Sequence, residues 1–185
     1  MFRSLLQNRP GQVALGAGVL ASTIYGVMVF GTLAHLHRFA GTAPFDLRPG
    51  GYTTDQARTM LAALGDEGRS FYLTRQLVLD AAYPALLALT IAGALIWLRG
   101  RGAGPGIVAL GIILAISAAS ADYVENIGIA TMLVLGESAP DMVIQATSLA
   151  TVTKSVLTTG AFVVVIIALG QHAGSRIAKA CEFRQ

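Results

Sequence analysis

The sequence predicts an all-α integral membrane protein, a four-transmembrane-helix bundle with one short amphipathic periplasmic helix. Three observations carry this. Of 185 residues, 54% are hydrophobic and only 12% charged, far from the balance of a soluble domain. Four apolar runs match or exceed the roughly 18 residues that mark a spanning helix. Between the first two lies a polar, Pro- and Gly-rich stretch followed by a capped helical pattern at 53–64, too short to span. Residues 1–185 therefore read as a single membrane domain.

The first span covers about residues 13–37. Arg3 and Arg9 precede it as in a signal peptide, but the apolar part is too long and no small-residue cleavage site follows. Ala14, Gly18, Ser22 and Gly26 recur every four residues, a stripe that lets a neighbouring helix approach closely. His35, His37 and Arg38 mark the membrane exit. Residues 38–70 form the outer loop and helix. Pro44, Pro49, Gly50 and Gly51 break regular structure, then Thr53 and Gln56 fit a capping box. Ala57, Met60, Leu61 and Leu64 make one apolar face, and Gly65 ends the helix.

The second span, about 71–98, follows Asp66-Glu67-Gly68 and carries Arg69, Tyr72, Gln76, Asp80 and Tyr83 on one face. Pro84 deprives the Asp80 carbonyl of its helical donor and predicts a kink. Trp97, Arg99 and Arg101 close this span at the opposite interface. The third span, about 107–135, contains Asp122, Glu125 and Asn126, which share a face at i, i+3 and i+4. The fourth, about 142–169, bears Thr147, Thr151, Lys154 and Thr158 in a narrow stripe. A basic tail, 175–185, follows.

Four spans place both termini on one side. Residues 1–11, 99–105 and 171–185 carry seven Lys or Arg, against four in 38–70. The positive-inside rule then gives cytoplasmic termini in a bacterial inner membrane. Measured from the cytoplasmic helix ends, Asp80 and Glu125 lie about 27 Å deep and Asp122 and Lys154 about 22 Å. The only lysine inside a span thus meets three intramembrane carboxylates at one level. One lysine cannot neutralise three acids. Besides an interhelical ion-pair network, these residues therefore suggest a pocket.

The segments Phe45-Asp46, Gly51-Tyr52-Thr53, Leu64-Gly65-Asp66-Glu67-Gly68-Arg69 with Tyr72, Asp80 with Tyr83-Pro84, and Asp122 with Glu125-Asn126 appear in a specific order over about 45–130. In this order they resemble a widespread group of small, uncharacterised bacterial four-span membrane proteins. The resemblance implies a four-helix membrane fold and no particular activity. It associates Asp46, Tyr52, Gly65, Gly68, Arg69 and Tyr72 with the intramembrane acids. Lys154 lies outside it.

Several functional classes are disfavoured. Cys181 is the sole cysteine, so neither an intrachain disulfide nor a Cys-x-x-Cys site exists. No phosphate loop or His-Glu-x-x-His motif appears. Asp-x-x-Glu lacks the histidine of di-iron helices. The net charge of +3 comes from basic ends and one loop, not from a nucleic-acid surface. The expectation is binding of a small or amphiphilic, lipid- or isoprenoid-like ligand in an outer-leaflet pocket, with no cofactor or metal. Asp80, Asp122, Glu125, Asn126, Lys154, Tyr72, Tyr83 and Arg69 are its candidate residues. Two alternatives stay open. One is a membrane enzyme using the same cluster for acid–base chemistry. The other is an accessory subunit, in a homodimer or larger complex, docked through the first helix.

Overall fold

The computed structural model describes residues 9–182, with side chains through Gly174. Arg3 and the basic side chains expected over 175–185 fall outside that range. Five helices, and no strand among the described residues, make up the chain. We number them α1 (Pro10–Ala40), α2 (residues 54–64), α3 (residues 66–99), α4 (Pro105–Leu135) and α5 (Asp141–Glu182). Four helical stretches are long and apolar enough to cross a membrane: Pro10–Ala40, Thr54–Arg99, Pro105–Ser138 and Asp141–Gly174. The chain is a multi-pass helix-bundle membrane protein. Leu15, Phe30, Ile113, Val134 and Ile166 point outward, as a lipid-facing surface requires, since hydrocarbon leaves no reason to hide them.

Thr53 and Gln56 form the expected capping box: the Gln56 N–H donates to Thr53 Oγ1 at 3.2 Å and the Thr53 N–H to Gln56 Oε1 at 3.0 Å. Ala57, Met60, Leu61 and Leu64 are all fully buried. They settle α2 across one end of the bundle, against the end of α1, α4, α5 and the turn between α4 and α5. At Gly65 the backbone takes φ 56° and ψ −169°, a conformation essentially restricted to glycine. There the cap turns into the spanning helix. Helical structure resumes at Asp66 rather than near Arg69, so the chain bends at one residue instead of through a loop.

The expected break near Pro84 is present. Regular helix stops at Asp80 and restarts at Tyr83. The wider turns at Met28–Thr32 in α1 and Tyr72–Gln76 in α3, each a π-helical segment, have no counterpart in the sequence reading. They lie against each other, with Thr32 Oγ1 donating to Gln76 Oε1.

Small residues set the helix separations. A Cβ on Gly93 would come within 3.1 Å of the Ala14 backbone nitrogen, and one on Gly18 within 3.2 Å of Thr90. The first two positions of the α1 stripe therefore pack against α3, whereas a Cβ at Gly26 would meet nothing within 4 Å. α4 and α5 touch most tightly at Gly128, where any side chain would run into Thr147.

Two apolar cores result. One, at the capped end, joins Leu33, Leu36, Phe45, Met60, Tyr72 and Met132. The other, at the open end, joins Ile91, Leu95, Val108, Ala161 and Ala168 of α3, α4 and α5. The buried polar residues Gln76, Asp80, Asp122, Glu125, Thr147 and Thr151 lie between them. Gly128→Val is expected to force α4 from α5 and lower stability by about 1–3 kcal/mol. Gly16→Ala, at a position with no neighbour within 4 Å, should leave it unchanged. Thermal unfolding in detergent distinguishes the two.

Candidate functional site

Every buried charge in a low-dielectric layer needs a partner. α4 supplies two acids one turn apart, and α5 supplies the counter-charge. Lys154 Nζ lies 3.1 Å from Asp122 Oδ1 and also ion-pairs with Glu125 Oε2. Glu125 is fully buried and Asp122 nearly so. The other oxygen of Glu125 accepts from Thr151 Oγ1 at 2.7 Å. Thr147, one turn along the same stripe, turns its hydroxyl to its own helix, on the Val143 carbonyl at 2.7 Å. The stripe thus splits between backbone and site.

Asp80 comes from α3 just before the helix break and is 2% exposed. The charges of Asp46, Asp122, Lys154 and Glu125 act on it, yet its Oδ2 has no hydrogen-bond partner among the described residues. Gln76 Nε2, both amide atoms of Asn126 and Asp46 Oδ1 are likewise buried without partners. Glu125 Oε2 is also without a hydrogen bond, although it ion-pairs with Lys154.

The loop between α1 and α2 descends into the bundle. Phe45 is fully buried and stacks near Tyr52 and Tyr72, with ring centroids 4.9 and 6.1 Å away. Asp46 follows Phe45 in a single 3₁₀ turn and accepts a hydrogen bond from the Tyr72 hydroxyl. Ser148 of α5 holds the far end of the loop: the Tyr52 N–H donates to its Oγ at 2.8 Å, and its hydroxyl donates to the Tyr52 carbonyl at 2.9 Å. Arg48 fixes the middle through the Ala43 carbonyl and Thr42, both at 2.9 Å. Burial, reinforced by the nearby Glu125 charge, raises the Tyr52 phenol above its ordinary pKa, so it stays neutral.

Of the residues singled out from sequence, Asp80, Asp122, Glu125 and Lys154 come together at one level, with Asn126 beside them on α4. Tyr72 donates to Asp46 and bonds to none of these four. Tyr83 instead stacks on Tyr25, centroids 5.6 Å apart, and lines a groove with α1 on one side. Arg69 stands at the capped end, paired with Asp66 and laid over Gly136, and makes no bond to the four charged residues. Tyr123 donates to the Ala81 carbonyl at 3.1 Å and so satisfies backbone left open by the helix break. Asp46 entered the sequence reading only through the resemblance. Thr32 and Ser148 carried no signal, being ordinary residues whose partners lie 44 and 96 positions away.

Two voids that share Leu87 lie on this side of the bundle, and only the smaller touches the cluster. A groove of about 270 Å³ is lined by Gly18, Ala21 and Tyr25 of α1, Tyr83 and Leu87 of α3, and Phe162 of α5. A far smaller void of about 10 Å³ touches Asp122, Pro84 and the same Leu87. Chemically, the lysine fills the place a cation would take between Asp122 and Glu125. The surplus acid Asp80 and the amides of Gln76 and Asn126 remain to meet something else.

Known families, curated proteins and solved structures include none that matches this chain.

Lys154→Met leaves Asp122 and Glu125 without their cation and is expected to destabilise the fold by about 3–5 kcal/mol. Adding Asp122→Asn should recover part of that loss, and a double-mutant cycle in detergent unfolding reads the coupling. Absence of coupling between Lys154 and both acids would contradict the ion-pair arrangement.

Proposed function

We propose that the protein binds an amphiphilic molecule from the bilayer, with its tail in the α1–α3–α5 groove and its polar head at the intramembrane cluster. The observation that carries this reading is the set of unmatched buried polar atoms on Asp80, Gln76 and Asn126. A buried polar group without a partner costs about 1–3 kcal/mol, so a ligand that satisfies these groups gains affinity. The groups include both donors and acceptors and carry a surplus carboxylate. That favours a head bearing hydroxyl or amine groups over an anionic one. The groove is mainly apolar and lies between α1, α3 and α5, which suits a tail taken from lipid. Leu87 lines both groove and inner void and is the side chain an entering head must pass. An isoprenoid or lipid alcohol fits this description.

The asymmetry of Lys and Arg further supports cytoplasmic termini in a bacterial inner membrane, which puts the capped end and the cluster toward the periplasm. A reporter fused after Gln185 is expected to behave as cytoplasmic and one inserted near Gly50 as periplasmic. The reverse pattern would move the site to the inner leaflet.

Native mass spectrometry of the gently extracted protein tests the binding. A retained amphiphile is expected with the unaltered chain. Ala21→Phe, which fills the groove, should abolish it. Asp80→Asn should weaken it by about 1.5–3 kcal/mol, the contribution of a hydrogen bond to a charged group. Equal retention by all three proteins would refute the reading.

A further inference from the structure

The open end of the bundle is the electrostatic opposite of the capped end. Nine of the ten acidic residues lie in the polar layer or at the capped end, and the tenth, Glu182, lies beyond the described side chains. Arg9, Arg99 and Arg101 therefore have no carboxylate partner among the described residues, and every ion pair found there belongs to the other half. Between the start of α1 and the end of α3 lies a cavity of about 540 Å³ whose wall includes Arg9, Gly11, Trp97 and Arg101.

This cavity is constructed, not merely lined with charge. Gly11 lets the Trp97 indole lie directly on the α1 backbone, since a Cβ there would come within 2.6 Å of the ring. The Arg101 guanidinium sits 3.6 Å from the Trp97 ring centroid, a cation–π contact that orients it without neutralising it. His172 of α5 meets the Arg101 carbonyl at 3.1 Å and packs edge-on near the same indole. Arg9, at the cap just before α1, lines the same cavity, and its one side-chain bond among the described residues is a long one to Gln12, 3.4 Å. Two guanidiniums, one preset, flank this cavity at the end of the bundle where Trp97 marks the membrane interface.

We propose that this cavity is a binding site for a phosphate anion, taken from the head group of an anionic phospholipid in the adjoining leaflet. Planar guanidiniums match phosphate oxygens bidentately, and basic pockets between spanning helices hold lipid phosphates in this way. The site lies at the opposite end from the intramembrane cluster and does not depend on it.

The test titrates the full chain, in a neutral detergent, with phosphatidylglycerol, phosphatidylcholine or inorganic phosphate and counts bound species by native mass spectrometry. Preferential retention of phosphatidylglycerol is expected. It should fall about fivefold in Arg9→Gln and in Arg101→Gln, near the effect of one basic residue at a lipid surface. Arg101→Lys, which keeps the charge but loses the planar fork and its stacking on Trp97, should fall between the unaltered chain and Arg101→Gln, and unchanged thermal midpoints exclude misfolding. If inorganic phosphate displaces the lipid and loses its effect in the same variants, the phosphate chemistry holds with a soluble source. Equal retention of both lipids, or a preference unaffected by either glutamine substitution, overturns the proposal.

Discussion

The bundle depends on one arrangement of charge: the ammonium of Lys154 held between Asp122 and Glu125. An ion in hydrocarbon must be matched locally, because no solvent relaxes around it and no counter-ion reaches it. That requirement fixes α5 on α4 both in height and in rotation. A slip of one residue along either helix would turn the charged face by about 100° and aim at least one charge at lipid. Apolar packing alone gives no comparable register between membrane helices, since a leucine is nearly as well solvated by lipid as by its neighbours. Gly128 against Thr147 then lets the two helices close to the distance the pair needs. The polar layer has a second effect: it divides the interior, so the capped and open halves each have a core of their own.

The two halves are built differently. Around the open end, α3, α4 and α5 form a compact trio, and α1 leans on α3 through small residues. At the capped end α1 is held by α2 and by the inserted loop with Phe45 and Tyr52. The groove lies where small residues of α1 pack along α3 and leave room beside Tyr25 and Tyr83. The proposed binding from the bilayer leaves the ion pair intact, because the groove lies on the α1 side of α3 and is lined by none of its three residues.

Much of this was legible in the sequence. The four spans, the capping box at Thr53 and the buried face of Ala57, Met60, Leu61 and Leu64 all follow from local periodicity, which chain neighbours alone determine. The meeting of Lys154 with Asp122 and Glu125 was legible for a different reason: the membrane converts sequence distance into depth, so groups that must pair can be matched by counting residues. Depth says nothing of azimuth, and Arg69 and Tyr83, grouped with Asp80 by helical phase, are instead turned to Asp66 and to Tyr25. The descent of Asp46 onto Tyr72 and the grip of Ser148 on Tyr52 are long-range contacts between polar groups with many equivalent partners. No spacing rule marks them.

The widened turn in α3 did leave a trace. Its buried positions Gly68, Tyr72, Gln76, Asp80 and Pro84 recur every four residues, whereas those of α4 keep close to the 3.6-residue repeat of an unstrained helix. A strict period of four drifts around an ideal helix, and the π-helical turn at Tyr72–Gln76 absorbs the drift by carrying one residue more than an α-turn. It acts as a phase joint: the part of α3 that belongs to the cap and the part that belongs to the membrane can each accept sequence change without turning the other. A lineage that lost one residue between 73 and 75 would keep an unbroken helix, but its cap would be rotated against Asp80. Length variation in this protein's relatives should therefore concentrate on the capped side of that joint.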